Sequence, residues 1–143
     1  MKQKFIDAHM KAAEVYAELS SAKRLQVGCV IVKDNTIIGI GYNGMPSGWD
    51  NNCEMIKYTD FTGTVVTMSK PEVLHAETNA IAKVAKSTNS TDGATIFVTH
   101  APCLDCAKLI YQSGINSVYY RHSYRDNLGI EFLEKCNVEL CHI

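Results

Sequence analysis

The feature that most restricts how this chain can fold is a metal-binding pattern cut into two pieces, His75-Ala76-Glu77 and Pro102-Cys103-Leu104-Asp105-Cys106. One nitrogen and two sulfur donors suit a zinc ion. Three protein ligands leave the fourth position to solvent, the layout of a catalytic rather than a structural site. Cys103 and Cys106 stand three positions apart where Pro102 opens a helix, so their sulfurs share one side of its first turn. A helix N-terminus favours negative charge and therefore thiolates, and His75 also falls near a helix start. A chain built around this ion must bring two helix N-termini together.

The rest of the sequence supplies a scaffold for such a meeting. Phe5, Ala8, Ala12, Val15, Tyr16 and Leu19 recur at helical spacing, which predicts a helix over about residues 3–20. Val27-Gly-Cys-Val-Ile-Val32 and Thr36-Ile-Ile-Gly-Ile40 flank Asp34-Asn35 and read as a β-hairpin. Gly41-Tyr42-Asn43-Gly44-Met45-Pro46-Ser47-Gly48 then reads as a shaped loop. The stretch from there to His75 has little periodicity and is expected to be a substrate or effector loop.

A helix is expected from near Pro71-Glu72 or a little later to about Lys86, with Ala76, Ala80, Ile81 and Val84 inward. Beyond it the pattern alternates: strand 94–99, helix 103–113 ended by Gly114, strand 117–120, helix 127–135, strand 138–141. Strand and helix in alternation imply right-handed crossovers and a parallel portion of sheet. The expectation is one three-layer α/β domain over residues 1–143.

Charge narrows the function. Fourteen Lys and Arg against fifteen Asp and Glu leave a formal net charge of -1. No broad basic field exists to hold nucleic acid, which favours a small-molecule substrate. Lys2 and Lys4 precede an amphipathic pattern rather than an apolar signal core, and no stretch is long enough to cross a bilayer. No membrane partner is expected, and the location expected is the cytoplasm, where a Cys-x-x-Cys binds metal or carries redox chemistry more often than it forms a cross-link.

Glu77 is not needed as a ligand. Two residues beyond His75, it can stand beside a zinc-activated water and shuttle its proton to a ring nitrogen, then protonate a departing amine. Hydrolytic deamination of an aminopyrimidine or aminopurine needs this combination.

His75-Ala-Glu77 with Asn79-Ala80-Ile81, and Pro102-Cys-Leu-Asp-Cys106, resemble the cytidine deaminase superfamily. Val27-Gly28, Gly41-Tyr-Asn-Gly-Met-Pro-Ser-Gly48 and His75-Ala-Glu-Thr-Asn-Ala-Ile81 narrow the resemblance to deoxycytidylate (dCMP) deaminases, viral ones included. The resemblance spans roughly residues 3–141. It implies an α/β/α fold around a mixed five-stranded sheet, and conversion of dCMP to dUMP for thymidylate synthesis. It also implies a homo-oligomer, commonly a hexamer, activated by dCTP and inhibited by dTTP, with Mg2+ accompanying a bound triphosphate. A viral member would work in the host cytoplasm.

By the same resemblance Asn43 contacts the sugar, Tyr124 lies against the substrate, and Thr99 and Ala76 join the substrate site. The effector contacts fall to Gly41, Tyr42, Asn43, Gly44 and Gly48. Some relatives carry a second, structural zinc in the loop before the catalytic histidine. Here that loop has Cys53 but no histidine between 53 and 75, so a second metal is not expected.

Other readings stay open at this point. Cys136 and Cys141 could complete a closed four-cysteine site, and Cys103-x-x-Cys106 could be a redox pair; neither accounts for His75-x-Glu77. The chain could be a related deaminase of RNA or DNA, such as a tRNA adenosine deaminase, or a non-catalytic zinc module. Each of the three arginines, Arg24, Arg121 and Arg125, reads either as solvated surface charge or as a grip for phosphate, since a guanidinium fork holds a dianion best. Arg24 and Arg125 are the candidates for that role. His100 is expected to line the pocket, and Trp49 to pack at a subunit contact or an effector pocket.

Overall fold

The computed structural model describes residues 1–143. Its central sheet is explained by strands that are apolar on both sides. In β1 (Gly28–Lys33), Cys29 and Ile31 point to one face and Val30 and Val32 to the other. In β5 (Thr95–His100), Ile96 and Val98 share the first face and Phe97 the second. Strands buried on both faces must be covered on both. Helix α1 (Gln3–Ala17) covers one side with Ile6, Met10 and Ala13. The other side is covered by α2 (Ala76–Ala85), α3 (Leu104–Gln112) and α4 (Leu128–Lys135), through Ala80, Val84, Ile110 and Leu133.

The sheet is mixed. With β2 (Thr36–Tyr42), β6 (Ser117–His122) and β7 (Glu139–His142), the five strands run in the order β2-β1-β5-β6-β7. β1 is antiparallel to both neighbours, whereas β5, β6 and β7 are parallel. The expected three-layer α/β/α arrangement is the one observed, with every element end but the start of α2 within three residues of the expectation. The parallel strands direct their C-terminal ends, His100 and His122, toward one edge, where α/β proteins bind ligands.

Two expectations need correction. Between Gly48 and His75 the chain is not an aperiodic loop. It forms a separate antiparallel hairpin, β3 (Glu54–Thr59) with β4 (Val65–Ser69). Its turn is closed by Asp60, whose Oδ1 accepts the backbone N–H groups of Thr62 and Thr64 at 2.9 Å each. Both strands are largely exposed, so no buried face imposes the alternation by which strands are recognised.

The second correction concerns α2. It does not begin near Pro71, because Leu74 is held extended by a pair of backbone bonds with Gly44, 2.8 and 3.0 Å long. His75 is consequently the extended N-cap, with φ -78° and ψ 154°, and helix begins only at Ala76. Gly41 and Tyr42, read as the start of the glycine loop, are the last residues of β2. Gly41 is glycine for a steric reason: a Cβ there would overlap the Ala76 carbonyl oxygen and lie 2.8 Å from Ala80 N.

Candidate metal centre and the cavity around it

The two halves of the metal pattern occupy equivalent places on neighbouring helices. His75 caps α2 and Cys103 caps α3, each in extended backbone conformation, so both side chains project ahead of a helix N-terminus. Cys106 lies one turn into α3 and is buried. The sulfur of Cys103 is 3.5 Å from His75 Nδ1 and that of Cys106 is 3.3 Å from it. All three donor atoms lie within 4.8 Å of one another.

These spacings suit a shared ion better than direct hydrogen bonds. A tetrahedron with Zn–S of about 2.3 Å and Zn–N of about 2.0 Å has nitrogen–sulfur edges of roughly 3.5 Å. The donor chemistry agrees, since imidazole with two cysteine sulfurs is a zinc set. Cys136 and Cys141 are not in the group. Cys136 packs against the main core, and Cys141 lies on β7. The closed four-cysteine reading therefore fails.

The electrostatics are those of a site made for a cation. With two sulfurs and a nitrogen in contact, Cys103 holds its proton weakly, at about 4, because the Cys106 thiol donates to it and His75 lies beside it. Cys106 is pushed up, through that same contact and through burial. His75 is raised by the Cys103 thiolate against the opposing effect of its own burial.

Glu77 is 4% exposed and lies beside Cys106 and His75. Burial raises its carboxyl above the ordinary range, and the His75 charge partly offsets this. A buried carboxyl beside a cation site, with its affinity for a proton increased, is suited to proton transfer.

A cavity of about 1090 Å³ opens in front of the ligands, with His75, Ala76, Glu77 and Cys103 among its lining residues. Asn43, Tyr124, Arg24 and Arg125 also lie on its wall, so the structure gathers most of the expected substrate residues in one place. The Asn43 amide is partly engaged, accepting from Val27 N at 2.9 Å and donating to Leu25 O at 2.8 Å. Arg125 leans over the Tyr124 ring, its guanidinium carbon 5.4 Å from the centroid.

Other expected residues are not on the wall. The Thr99 side chain stands behind it, its Oγ1 accepting Gly28 N–H at 3.2 Å and lying 3.0 Å from His100 Nδ1. Arg121, the arginine not assigned to the substrate, is outside as well, paired with Glu14 at 3.0 Å. Of the expected effector residues, Gly41 and Tyr42 are fixed in the sheet, and Gly44 pairs with Leu74. Gly48 adopts a positive φ of 84° in the loop beyond. A smaller hollow of about 420 Å³, lined in part by Met45, Trp49, Met55 and Lys70, lies beside that loop.

The sequence reading missed two parts of the wall. The outer side is formed by the unrecognised hairpin, through Lys57 and Val66 to Ser69. His122, given no role, faces His100 across the ends of β5 and β6, with ring centroids 4.9 Å apart. His100 does line the cavity, and its imidazole is depressed by burial and then by the neighbouring His122. The parallel pairing of two strands ending in histidine was the available signal for this pair.

The family model for the cytidine and deoxycytidylate deaminase zinc-binding region matches residues 3–122. ComE operon protein 2 of Bacillus subtilis is 40% identical over 120 residues, covering 81% of this chain and 58% of its own length. Human deoxycytidylate deaminase is 39% identical over 114 residues, covering 78% of this chain and 61% of its own. The chain thus spans about three fifths of the length of these curated relatives. The dCMP deaminase of cyanophage S-TIM5, solved in complex with dCMP and dUMP, superposes with a TM-score of 0.89 at 43% identity, covering 100% of this chain and 99% of that one.

Proposed function

The chain belongs to the cytidine and deoxycytidylate deaminase family, and from that premise we propose that it hydrolyses dCMP to dUMP and ammonia. The observation that carries the reading is the convergence of His75, Cys103 and Cys106 at one point, with the buried Glu77 carboxyl beside them and a cavity of about 1090 Å³ in front. A zinc ion held by those three residues supplies the Lewis acidity that makes water nucleophilic near neutral pH. Glu77 takes the proton from the attacking water and delivers it to the pyrimidine ring nitrogen. As the C4–N bond breaks, Glu77 takes the proton of the new C4 hydroxyl and passes it to the departing amine, leaving the C4 carbonyl of dUMP.

The remaining residues orient the nucleotide. Ala76 and Tyr124 face the base, Asn43 the sugar, and Arg24 with Arg125 the phosphate. Thr99 supports the wall from behind by engaging Gly28 and His100. Effector control by dCTP and dTTP, with Mg2+ on the triphosphate, belongs to the same reading. It is supported by the family resemblance and by the hollow beside Trp49. Assembly into a homohexamer is supported by the resemblance and by exposed apolar side chains such as Ile56, Tyr58 and Phe61. A free nucleotide substrate accords with work in the cytoplasm, and the near-neutral charge with the lack of a nucleic-acid partner.

The test is ammonia release by the zinc-loaded protein from dCMP, CMP, deoxycytidine and tRNA. The highest kcat/KM is expected on dCMP. Turnover of tRNA alone, or of none of the four, would overturn the assignment.

A further inference from the structure

We propose that Glu54 is a positioning residue that aims Arg24 into the cavity, an inference that rests on the dCMP reading for its consequence in phosphate recognition. Arg24 lies in the irregular strap between α1 and β1 and takes part in none of the ion pairs. It differs in this from Arg121, which is committed to Glu14, and from Arg125, which is paired with Asp126 at 4.0 Å and leans on Tyr124. An arginine with no partner on so irregular a segment is of use to a ligand only if the backbone beneath it is fixed.

Several hydrogen bonds hold the strap, and only one group, Glu54, grips Arg24 itself. Gln26 Nε2 donates to Ser20 O at 2.8 Å, and the Asn43 amide holds Leu25 and Val27. Glu54 Oε1 accepts the backbone N–H groups of Lys23 at 2.7 Å and of Arg24 at 3.1 Å. One anionic oxygen taking two successive N–H groups is a strong, directional fixing of two peptide planes. Glu54 is also the first residue of β3. The clasp therefore ties the strap to the hairpin that forms the outer wall of the cavity.

A second observation indicates that this carboxylate is kept for orientation rather than for stability. Its other oxygen, Oε2, is buried and has no hydrogen-bond partner. An unmade hydrogen bond at a buried carboxylate opposes folding, so a residue chosen for stability alone would not carry it.

Four variants and two measurements decide the matter. Glu54→Ala is expected to raise KM for dCMP about tenfold, a charge-assisted contact's worth, with kcat and the KM for deoxycytidine unmoved. Amide hydrogen exchange at Lys23 and Arg24 is expected to quicken in the same variant. Glu54→Gln keeps an oxygen acceptor and should restore much of both. Arg24→Ala should show the same loss on dCMP, and the double variant E54A/R24A no further loss, because the two act in series.

Equal losses on dCMP and deoxycytidine, additive losses in the double variant, or unchanged exchange at residues 23 and 24 would overturn the proposal. Should the unmodified protein not deaminate dCMP at all, the functional reading falls, and the exchange measurement alone decides whether Glu54 fixes the strap.

Discussion

Cys106 Sγ lies 3.3 Å from His75 Nδ1, a contact between residues 31 apart in the chain. It exists because α2 and α3 begin at the same edge of the sheet. Without a cation between them the three donors share protons, with Cys103 ionised and Cys106 retaining its hydrogen. Zinc binding must therefore displace the Cys106 proton, and at least one proton per ion should be released near pH 8. Titrating zinc into stripped protein in a weakly buffered indicator solution measures it. Cys106→Ser should abolish that release, and zinc affinity should fall by more than the roughly 10–100-fold typical of an outer partner.

Glu77 should behave differently from the ligands. Glu77→Gln keeps the size and burial of the side chain but cannot carry the proton, so turnover should fall by about 10²–10⁴-fold while zinc stays bound. The stability effect has the opposite sign. The folded carboxyl is raised above its ordinary value by burial, so the native state binds the extra proton, and the group's stabilising contribution is lost as pH rises through the folded value. Metal-free E77Q should therefore be more stable than metal-free wild type at neutral pH and no more stable in acid. Chemical denaturation at the two pH values checks it.

How far the site was readable in the chain follows from what each part needs. The ligands and Glu77 were visible because metal chemistry restricts residue type and local spacing together. The five strands of the main sheet were visible because they bury apolar side chains on one or both faces, as in Ile96-Phe97-Val98. The β3–β4 hairpin was not, because residues such as Ile56 and Tyr58 are exposed and nothing in the single chain imposes a period on them. The start of α2 was placed too early because Pro71-Glu72 resembles a helix opening. The Gly44–Leu74 pairing that forbids it there is a long-range contact. Arg24 and Glu54 meet for the same kind of reason, 30 residues apart, with no local trace.

His100 offers a pH test away from the metal. Burial, then His122, depresses its imidazole below the ordinary 6.5. The unfolded chain therefore binds the proton first as pH falls, so stability declines from about 6.5 down to the depressed folded value and then levels off. His100→Asn should remove part of that acid slope. In the wild type the His100 ring protons should titrate below those of an unstructured histidine by NMR, and His122→Asn should move them back only partway, because burial is the larger cause.

Gly41 separates what a glycine does for the fold from what it does for a ligand. A Cβ at this position would overlap the carbonyl oxygen of Ala76, the first residue of α2, and press on Ala80 N at 2.8 Å. Both neighbours are backbone, which cannot rotate aside. Relief requires moving the helix away from β2, at about 1–3 kcal/mol of stability. His75 caps that same helix and Glu77 lies in its first turn, so the displacement carries them away from Cys103 and Cys106. Gly41→Ala should accordingly lower the thermal midpoint and weaken zinc binding together. Gly44→Ala is the control, since a Cβ there meets nothing within 4 Å. Gly44→Ala should leave both properties as they are, and a change in its response to dCTP alone would mark Gly44 as an effector contact.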